Sequence, residues 1–374
     1  MTHVNLTVRR ESHSLSSVKR DAYNRGMTTK NMRRLSICLA VSLLLSASAV
    51  AQNYKLAAQI PLGGNGAWDY LTADTEARRL YVSHSGEVVI LDLDSQKRIG
   101  TLSGFGFIHG IVVVHKLNTG FLSDGQKDEV VTFDPKTFAV TGRIKTDANP
   151  NSMVYDDITG RLFVGHKPSK STTVIDAATG RIVGKIQLGG VPEFPVTDRA
   201  GNIYVNIEDK SEIVQIDSTT FKIKAHWPLS PCESPSGLAV DRKSHRLFAA
   251  CDNKLLAVVN YDTGKVVTTL PIGGGPDAAA YDSATGIVFS SNGDGTLTLI
   301  RSDEPDHYKV IQSLPTESGA RTMAVDSSTG IVYLSAAKLG PPPLATPQIP
   351  NPPKHPTAIA GSFKLFVAVP ELRQ

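Results

Sequence analysis

A short string of residues that recurs along this chain limits its possible folds more than any other feature. The string RLFVGHKPSKSTTVIDAATGRIVGKIQLGG at 161–190 returns as RLFAACDNKLLAVVNYDTGKVVTTLPIGG at 246–274, and a looser copy begins at Arg79. Aligning the chain on itself gives seven units with a period of about 42 residues. A repeat of this kind explains how a long chain folds without a charge-rich or low-complexity linker that would divide it.

Two columns of this alignment recur in nearly every unit. The second strand of each unit carries an aromatic residue, which predicts packing between neighbouring sheets. The first strand ends in an Asp that can hydrogen-bond the following turn, and only Val114 departs from this pattern. The aromatic residues are Tyr81, Phe121, Phe163, Tyr204, Phe248, Phe289 and Tyr333. The Asp residues are Asp74, Asp156, Asp198, Asp241, Asp282 and Asp326. Both columns indicate the fold and say nothing of function.

Units of about 40 residues with four strands each are typical of a β-propeller. The fold class that we predict is all-β, a seven-bladed β-propeller of four-stranded antiparallel blades. The last unit has no clear fourth strand, but YKLAAQIPLGG at 54–64 matches the outer-strand string KVVTTLPIGGG at 265–275. We expect this mature N-terminal strand to complete the last blade and close the ring, because closure removes an exposed edge.

The start of the chain has the pattern of a secretory signal. After Met27 come basic residues, an apolar stretch from Leu35 to about Leu45, and a small-x-small site that ends at Ala51. The apolar stretch is too short for a stable membrane span. The segments that we predict are 1–26, an over-extended start; 27–51, a cleaved signal peptide; and 52–374, the propeller, with a Pro-rich insertion at 339–358 in its last blade.

Net charge argues against nucleic acid as a partner. The formal charge is +4, but residues 1–51 hold eight Lys and Arg against two Asp and Glu, so the rest of the chain is near −2. Net charge therefore implies no long-range attraction to nucleic acid or anionic lipid, which leaves a local basic patch as the alternative. The predicted cleaved signal indicates a periplasmic or secreted protein with no membrane span in its mature form. We expect it to be a monomer without a cofactor.

The repeat strings resemble those of a known family. VIDAATGRIVGKI at 174–186 and NKLLAVVNYDTGKVVTTLPIGG at 253–274 resemble the YVTN-type, YncE-like β-propeller proteins of bacteria, over most of the chain from about Tyr54. VNIEDKSEIVQID at 205–217 and SSNGDGTLTLI at 290–300 are similar to an extracytoplasmic subset of that family. The resemblance implies a secreted or periplasmic seven-bladed propeller. It implies no catalytic residues, because the family is largely of unknown function.

A polar column opens the first strand of every unit, and its residue types differ from unit to unit. Since a structural column tends to repeat one residue type, we interpret this column as a ligand-binding ring at the channel mouth, with solvation of the rim as the alternative. We expect its side chains to contribute little to packing. The ring residues are Asp69, His109, Asn151, Glu193, Ser236, Asp277 and Arg321.

Our leading hypothesis is an extracytoplasmic propeller that binds a small ligand or an envelope protein through this face, without chemistry of its own. The sequence has no GxSxG, HExxH, CxxCH or P-loop motif. A first alternative is an enzyme, a lactone hydrolase or an oxidoreductase, in which Glu193 and Asp277 act as an acid/base pair. A second alternative is single-stranded nucleic-acid binding, which needs a basic groove with exposed aromatic residues. Arg321 favours an anionic ligand.

Three further features of the sequence generate expectations about the same face. His84, His109 and His166 fall on consecutive units and could bind copper or zinc, although no local spacing supports a metal site. Cys232 precedes the inner strand of the fifth unit and Cys251 ends its antiparallel partner, so we predict a disulfide. The Pro-rich insertion should emerge beside the ring, as a cover, a partner-binding segment or an inert loop.

The leader yields the first testable prediction. We expect the mature chain to begin at or near Gln52, because the apolar stretch ends at a small-x-small site. N-terminal sequencing of the exported protein measures this directly. A membrane-retained chain that still contains residues 41–45 would contradict both the cleavage and the soluble mature form.

Overall fold

The structure is a computed structural model that describes residues 53–304, 306–341 and 357–371. The predicted over-extended start and signal peptide lie outside the described residues, as does the centre of the Pro-rich insertion. No helix within the described ranges is long and apolar enough to cross a membrane.

The described residues form seven four-stranded antiparallel sheets, the blades. Blade 1 contains β2 (Trp68–Asp74), β3 (Arg79–His84), β4 (Glu87–Asp92) and β5 (Arg98–Ser103). Blade 2 contains β6 (Ile108–Val114), β7 (Thr119–Asp124), β8 (Glu129–Phe133) and β9 (Val140–Lys145). Blade 3 contains β10 (Pro150–Asp156), β11 (Arg161–His166), β12 (Ser171–Asp176) and β13 (Ile182–Gln187). Blade 4 contains β14 (Pro192–Thr197), β15 (Asn202–Ile207), β16 (Glu212–Asp217) and β17 (Ile223–Pro228).

The remaining blades follow the same order. Blade 5 contains β18 (Pro235–Asp241), β19 (Arg246–Cys251), β20 (Leu255–Asn260) and β21 (Lys265–Pro271). Blade 6 contains β22 (Pro276–Asp282), β23 (Ile287–Asn292), β24 (Thr296–Glu304) and β25 (His307–Pro315). Blade 7 contains β26 (Thr322–Asp326), β27 (Ile331–Ala336), β28 (Lys364–Pro370) and, as its outer strand, β1 (Tyr54–Pro61). Short 3₁₀ helices occur at His115–Leu117, Gly125–Lys127 and Glu208–Lys210.

These sheets confirm the predicted seven-bladed β-propeller. The inner strand of each blade packs against the inner strands of both neighbours, and β2 of blade 1 contacts β26 of blade 7. The strand at Tyr54–Pro61 pairs antiparallel with β28, with Tyr54 opposite Pro370 and Pro61 opposite Lys364. That β1 opens the mature chain stays a prediction, because the residues before Asn53 lie outside the description.

The aromatic column forms the core between blades. All seven residues are at most 1% exposed, as expected for large apolar groups that fill the space between facing sheets. Tyr81 of blade 1, for example, lies against Phe133 of blade 2, with ring centroids 5.8 Å apart. Each blade therefore contributes one large side chain to the seam with its neighbour.

The Asp column stabilises the turns after the inner strands, as predicted. The Asp326 carboxylate accepts hydrogen bonds from the hydroxyls of Ser328 and Thr329, at 2.6 and 2.8 Å. In blade 2 this position is Val114, and the next residue, His115, contacts the Asp of the preceding blade. His115 Nε2 lies 2.7 Å from Asp74 Oδ1. The exceptional unit is thus tied to the regular unit beside it.

The start of the inner strand is irregular in six of the seven blades. In blade 1, Trp68 pairs with His84 and the register then shifts before Leu71 resumes it; corresponding shifts occur in blades 2 to 6. Such a shift leaves backbone groups without a partner in their own sheet. Side chains of the preceding blade accordingly donate to backbone carbonyls here, from Ser123 to Asn151 (2.6 Å), Ser152 to Glu193 (2.7 Å) and Asn206 to Ser236 (2.9 Å).

Cys232 and Cys251 form a disulfide, which confirms that prediction. Their Cα atoms are 5.7 Å apart, within the usual range for a bridge. Cys251 ends β19 opposite Pro235, and both sulfur atoms lie in a fully buried environment. The bridge therefore clamps the segment that enters blade 5 to the second strand of that blade.

We expect the double variant Cys232→Ala, Cys251→Ala to lose about 3 kcal/mol of the free energy of unfolding, because the bridge closes a short loop in the unfolded chain. Guanidinium unfolding of the exported protein measures the loss. Reduced wild-type protein serves as the control, since it should approach the variant. A peptide map of unreduced protein with both thiols free would contradict the prediction.

Candidate functional site

The ring residues lie together at one face, where inner strands begin and second strands end. Six of them occupy the second position of an inner strand, and Arg321 directly precedes β26. The pairing of Trp68 with His84 and of Pro150 with His166 places the ends of second strands beside them. The structure thus brings together the elements that the repeat alignment placed on one face. We call this surface the mouth face.

Asp69 and His109 connect the mouth face of blade 1 to that of blade 2. His109 Nδ1 lies 2.5 Å from Asp69 Oδ2, and its Nε2 lies 3.2 Å from Asn149 Oδ1. Gly125 leaves room for this imidazole, because a Cβ there would lie 2.5 Å from His109 Nε2. The histidine therefore has a partner at each ring nitrogen.

Glu193 of blade 4 forms an ion pair with Lys167 of blade 3. The Glu193 carboxylate and the Lys167 ammonium are in direct contact, and Glu193 is 3% exposed. Burial raises the pKa of the Glu193 carboxyl to about 8, even though Lys167 opposes the rise. Desolvation alone would lower the pKa of Lys167, but the charge of Glu193 outweighs it and the lysine pKa is raised.

Ser236, Asp277 and Arg321 form a third group across blades 5, 6 and 7. Ser236 Oγ donates to Asp277 Oδ1 at 2.8 Å, and Arg321 forms an ion pair with Asp277, with Nε 3.1 Å from Oδ2. Burial raises the pKa of Asp277 although Arg321 counteracts it. The charge of Asp277 is in turn the main cause of the raised pKa of Arg321. The unlike residue types of the ring are therefore explained largely by pairing between neighbouring blades.

Two aromatic side chains meet across the channel. Tyr70 of blade 1 and Phe194 of blade 4 follow ring residues in their strands, and their centroids lie 5.2 Å apart at an angle of 72°. Burial raises the pKa of Tyr70 well above its usual value, and the charges of Asp277, Glu193 and Asp69 add to the rise. The phenol thus lies among the carboxylates of the ring and stays protonated at neutral pH.

The expectation that ring side chains contribute little to packing is wrong for three of them. Asp69, Asn151 and Glu193 are 9%, 6% and 3% exposed. Asn151 Oδ1 is buried and has no hydrogen-bond partner among the described residues. All three are the second residue of an inner strand whose pairing begins irregularly.

Sequence reasoning grouped three histidines that the structure gives separate environments. His84 is stacked on Phe363, with centroids 4.1 Å apart, and His166 Nδ1 faces the carbonyl of Ala148 at 3.3 Å. Burial lowers the pKa of both imidazoles. In the part of the chain that the structure describes, no three His, Cys, Asp or Glu residues form a group that could hold a metal ion.

Glu193 and Asp277, the hypothetical acid/base pair, each interact with a different cation. The charge of Asp277 contributes to the raised pKa of Glu193, so the two carboxyls interact. Each is nevertheless bound to its own cation, Glu193 to Lys167 and Asp277 to Arg321. Their use as a pair stays a hypothesis.

A cavity of about 650 Å³ opens on the mouth face between blades 6, 7 and 1. Arg321 is the ring residue that lines it. The ends of the Pro-rich insertion contribute to its wall, and Leu339 and Ala358 pair there as an isolated β-bridge. The lining residues are Gly66, Ala67, Trp68, Gly275, Gly293, Gly319, Arg321, Leu339, Thr357 and Ala358.

Known proteins of similar sequence are the uncharacterized YncE proteins of enteric bacteria. YncE of Salmonella typhi is 26% identical over 151 residues, which cover 37% of this chain and 42% of that protein. YncE of Escherichia coli strain K12 is 28% identical over 146 residues, which cover 36% of this chain and 41% of that protein. The sequence match and the seven blades together support a YncE-like β-propeller. The match spans less than half of the curated relatives, and no protein-family model matches the chain.

A solved structure extends the likeness of fold beyond the matched stretch. A chain in the crystal structure of a mitotic checkpoint complex superposes with a TM-score of 0.66 and 12% identity, covering 86% of this chain and 95% of that chain. At such low identity the likeness concerns the propeller alone. The YncE-like relationship therefore supports the fold and leaves the ligand to be argued from the site.

Sequence reasoning missed Lys167, the Tyr70–Phe194 contact and the apolar wall of the cavity. Lys167 directly follows β11 and so lies in a loop of the mouth face, which the repeat alignment could have included. The aromatic contact joins blades 1 and 4, and no spacing along the chain predicts a contact across the channel. The apolar wall of the cavity forms where the two ends of the Pro-rich insertion pair, and no pattern in the sequence predicts that pairing.

The buried Glu193 carboxyl predicts an unusual dependence of stability on pH. Its folded pKa is about 8 and its ordinary value is 4.5, so its contribution is full below about pH 4.5 and is lost as the pH rises through 8. Glu193→Gln should remove this loss, on the order of a few kcal/mol, between about pH 5 and about pH 9. Thermal unfolding of both proteins across this range measures the difference.

Glu129→Gln is the matched control for this prediction. Glu129 is also buried, but Arg143 and Lys145 outweigh its desolvation and lower its pKa. Its contribution is present above about pH 4.5 and is lost only as the pH falls further, so the variant should be destabilised evenly over the same range. A Glu193→Gln variant with the slope of wild type would show that the carboxyl is ionised in the folded protein.

Proposed function

We propose that this protein is an extracytoplasmic propeller that binds a small ligand through its mouth face, without chemistry of its own. The observation that carries this proposal is the cavity of about 650 Å³ beside Arg321. Small-molecule sites are concave, mostly apolar and of about 300–1,000 Å³, with a few polar groups that orient the ligand. The cavity has this size and this composition.

The extracytoplasmic location is supported by the disulfide and by the signal-like leader. Disulfides persist in oxidising compartments and are rare in the cytosol. The Cys232–Cys251 bridge is buried in the fold, which suits a protein that matures after export. The leader supplies the basic, apolar and small-residue regions that export requires.

Binding without chemistry is supported by the pairing of the ring carboxylates. Asp69, Glu193 and Asp277 each have a partner from a neighbouring blade, so each has a structural task in the closed ring. The observation that favours an enzyme is the raised pKa of Tyr70, Glu193 and Asp277 around one channel, since such shifts also occur in active sites. None of these three residues lines the cavity.

The proposal predicts that protein purified from its own cell envelope carries a small molecule that Arg321→Ala loses. The guanidinium is about half exposed, and Asp277 keeps its hydrogen bond from Ser236 when the arginine is removed, so the variant should keep the melting temperature of wild type within a few degrees. Native mass spectrometry measures the bound mass, and released material is identified after denaturation. Glu193 is unsuitable for this test, because it is buried and its removal would leave Lys167 unpaired.

Arg161→Ala provides the matched control. Arg161 begins β11 at the opposite end of blade 3, where it donates to the carbonyl of Ser218 at 2.9 Å. The control variant should carry the same small molecule as wild type. Wild-type protein with no bound small molecule, or equal loading of Arg321→Ala, would contradict the proposed role of the cavity. Conversion of the released molecule by the purified protein would favour the enzyme.

A further inference from the structure

Among the described residues that line the cavity on the mouth face, Arg321 is the single charged side chain. The other described lining residues are small or apolar, apart from the Thr357 hydroxyl and the indole of Trp68. A ligand that fills this space meets one fixed positive charge and otherwise mainly carbon atoms and glycine backbone. The lining therefore favours a molecule with one negative group and an apolar body.

The position of Arg321 is held by its backbone. Its amide donates to the carbonyl of Gly319 at 2.8 Å, and its own carbonyl accepts from Ser291 Oγ at 2.5 Å and from the Ala278 amide at 3.1 Å. Its side chain forms an ion pair with Asp277, in which Arg321 Nε lies 3.1 Å from Asp277 Oδ2. Among the described residues, no hydrogen bond from its two terminal nitrogens is found, and the side chain is 54% exposed.

The two terminal nitrogens of a guanidinium match the two oxygens of a carboxylate. The pairing is planar and bidentate, and it is more specific than a contact with a point charge. Asp277 already neutralises part of the arginine charge, which leaves the arginine suited to a monoanion. Asp69 and Glu193 do not line the cavity and have partners of their own, so they do not make its lining acidic.

The walls favour a flat ligand body. The Trp68 indole packs against Phe363, with centroids 5.7 Å apart, so one wall is an aromatic surface held in place from behind. Gly319 has φ +86°, and a Cβ there would lie 3.3 Å from the Trp68 ring. Any other residue would narrow the space beside the indole. The Leu339–Ala358 bridge supplies the apolar wall contributed by the insertion ends.

We propose that the cavity binds a small organic carboxylate with a flat apolar body. Its carboxylate accepts from the terminal nitrogens of Arg321, and its body lies between the surfaces of Trp68 and Leu339. The inference rests on the proposed binding function and narrows it to one chemical class. The experiments below test the charge of the ligand while the shape of its body is held constant.

The test uses three probes of one shape and different charge: 2-naphthoate, 2-naphthamide and 2-naphthylmethylamine. Isothermal titration calorimetry on the full mature, disulfide-bonded protein should show that the carboxylate binds at least about tenfold more tightly than the amide and the amine. Arg321→Gln should remove that preference. Arg161→Gln, whose guanidinium lies at the opposite end of its blade, should keep it.

A second variant tests the same inference and leaves Arg321 unchanged. Leu339 is 39% exposed, so Leu339→Asp adds a carboxylate to the cavity with little loss of packing. It should weaken binding of 2-naphthoate about tenfold and make the amine the preferred probe. Circular dichroism and the melting temperature confirm that each variant is folded.

The outcomes separate the inference from the proposed function. If the amide or the amine binds as tightly as 2-naphthoate, or if neither variant changes the order of the probes, the carboxylate inference is wrong and the cavity still binds a ligand. If no probe binds and the native protein carries a small molecule, the class of ligand is wrong. If no probe binds and the native protein carries nothing, both proposals fail.

Discussion

The propeller depends on the contacts that each inner strand makes with both of its neighbours. A single four-stranded sheet cannot bury its two apolar faces, so every blade is stable only between two others. The aromatic column fills the seams, and side chains of one blade bind backbone carbonyls at the start of the next. In blade 7 the outer strand is β1, which pairs with β28.

The same contacts explain the composition of the ring. An irregular strand start places its second residue inside the circle of blades, where an isolated carboxylate would be costly. A partner from the adjacent blade reduces this cost, as Lys167 does for Glu193 and His109 for Asp69. A column of unlike polar residues, which we interpreted as a binding ring, is therefore in large part a set of complementary pairs. The variety of residue types is what complementarity between neighbours requires.

The sequence predicted the fold almost completely, and the site only in part. The aromatic and Asp columns are local and recur in the units, so strand positions, the blade count and the Cys232–Cys251 bridge followed from alignment and hairpin geometry. Partners across the channel, such as Phe194 for Tyr70, have no signature along the chain. Nor has burial at the mouth face, because it follows from the register shift and not from residue type.

Arg321 differs from the other ring residues because blade 7 differs from the other blades. The pairing of β26 with β27 has no register shift, and Arg321 lies just before the strand instead of inside it. Its side chain is consequently exposed while Glu193 and Asn151 are buried. Blade 7 also holds the Pro-rich insertion and takes its outer strand from the other end of the chain. Beside this irregular blade lie the cavity and a guanidinium whose terminal nitrogens have no hydrogen-bond partner among the described residues. Departures from local regularity are where function is expected in an otherwise consistent fold.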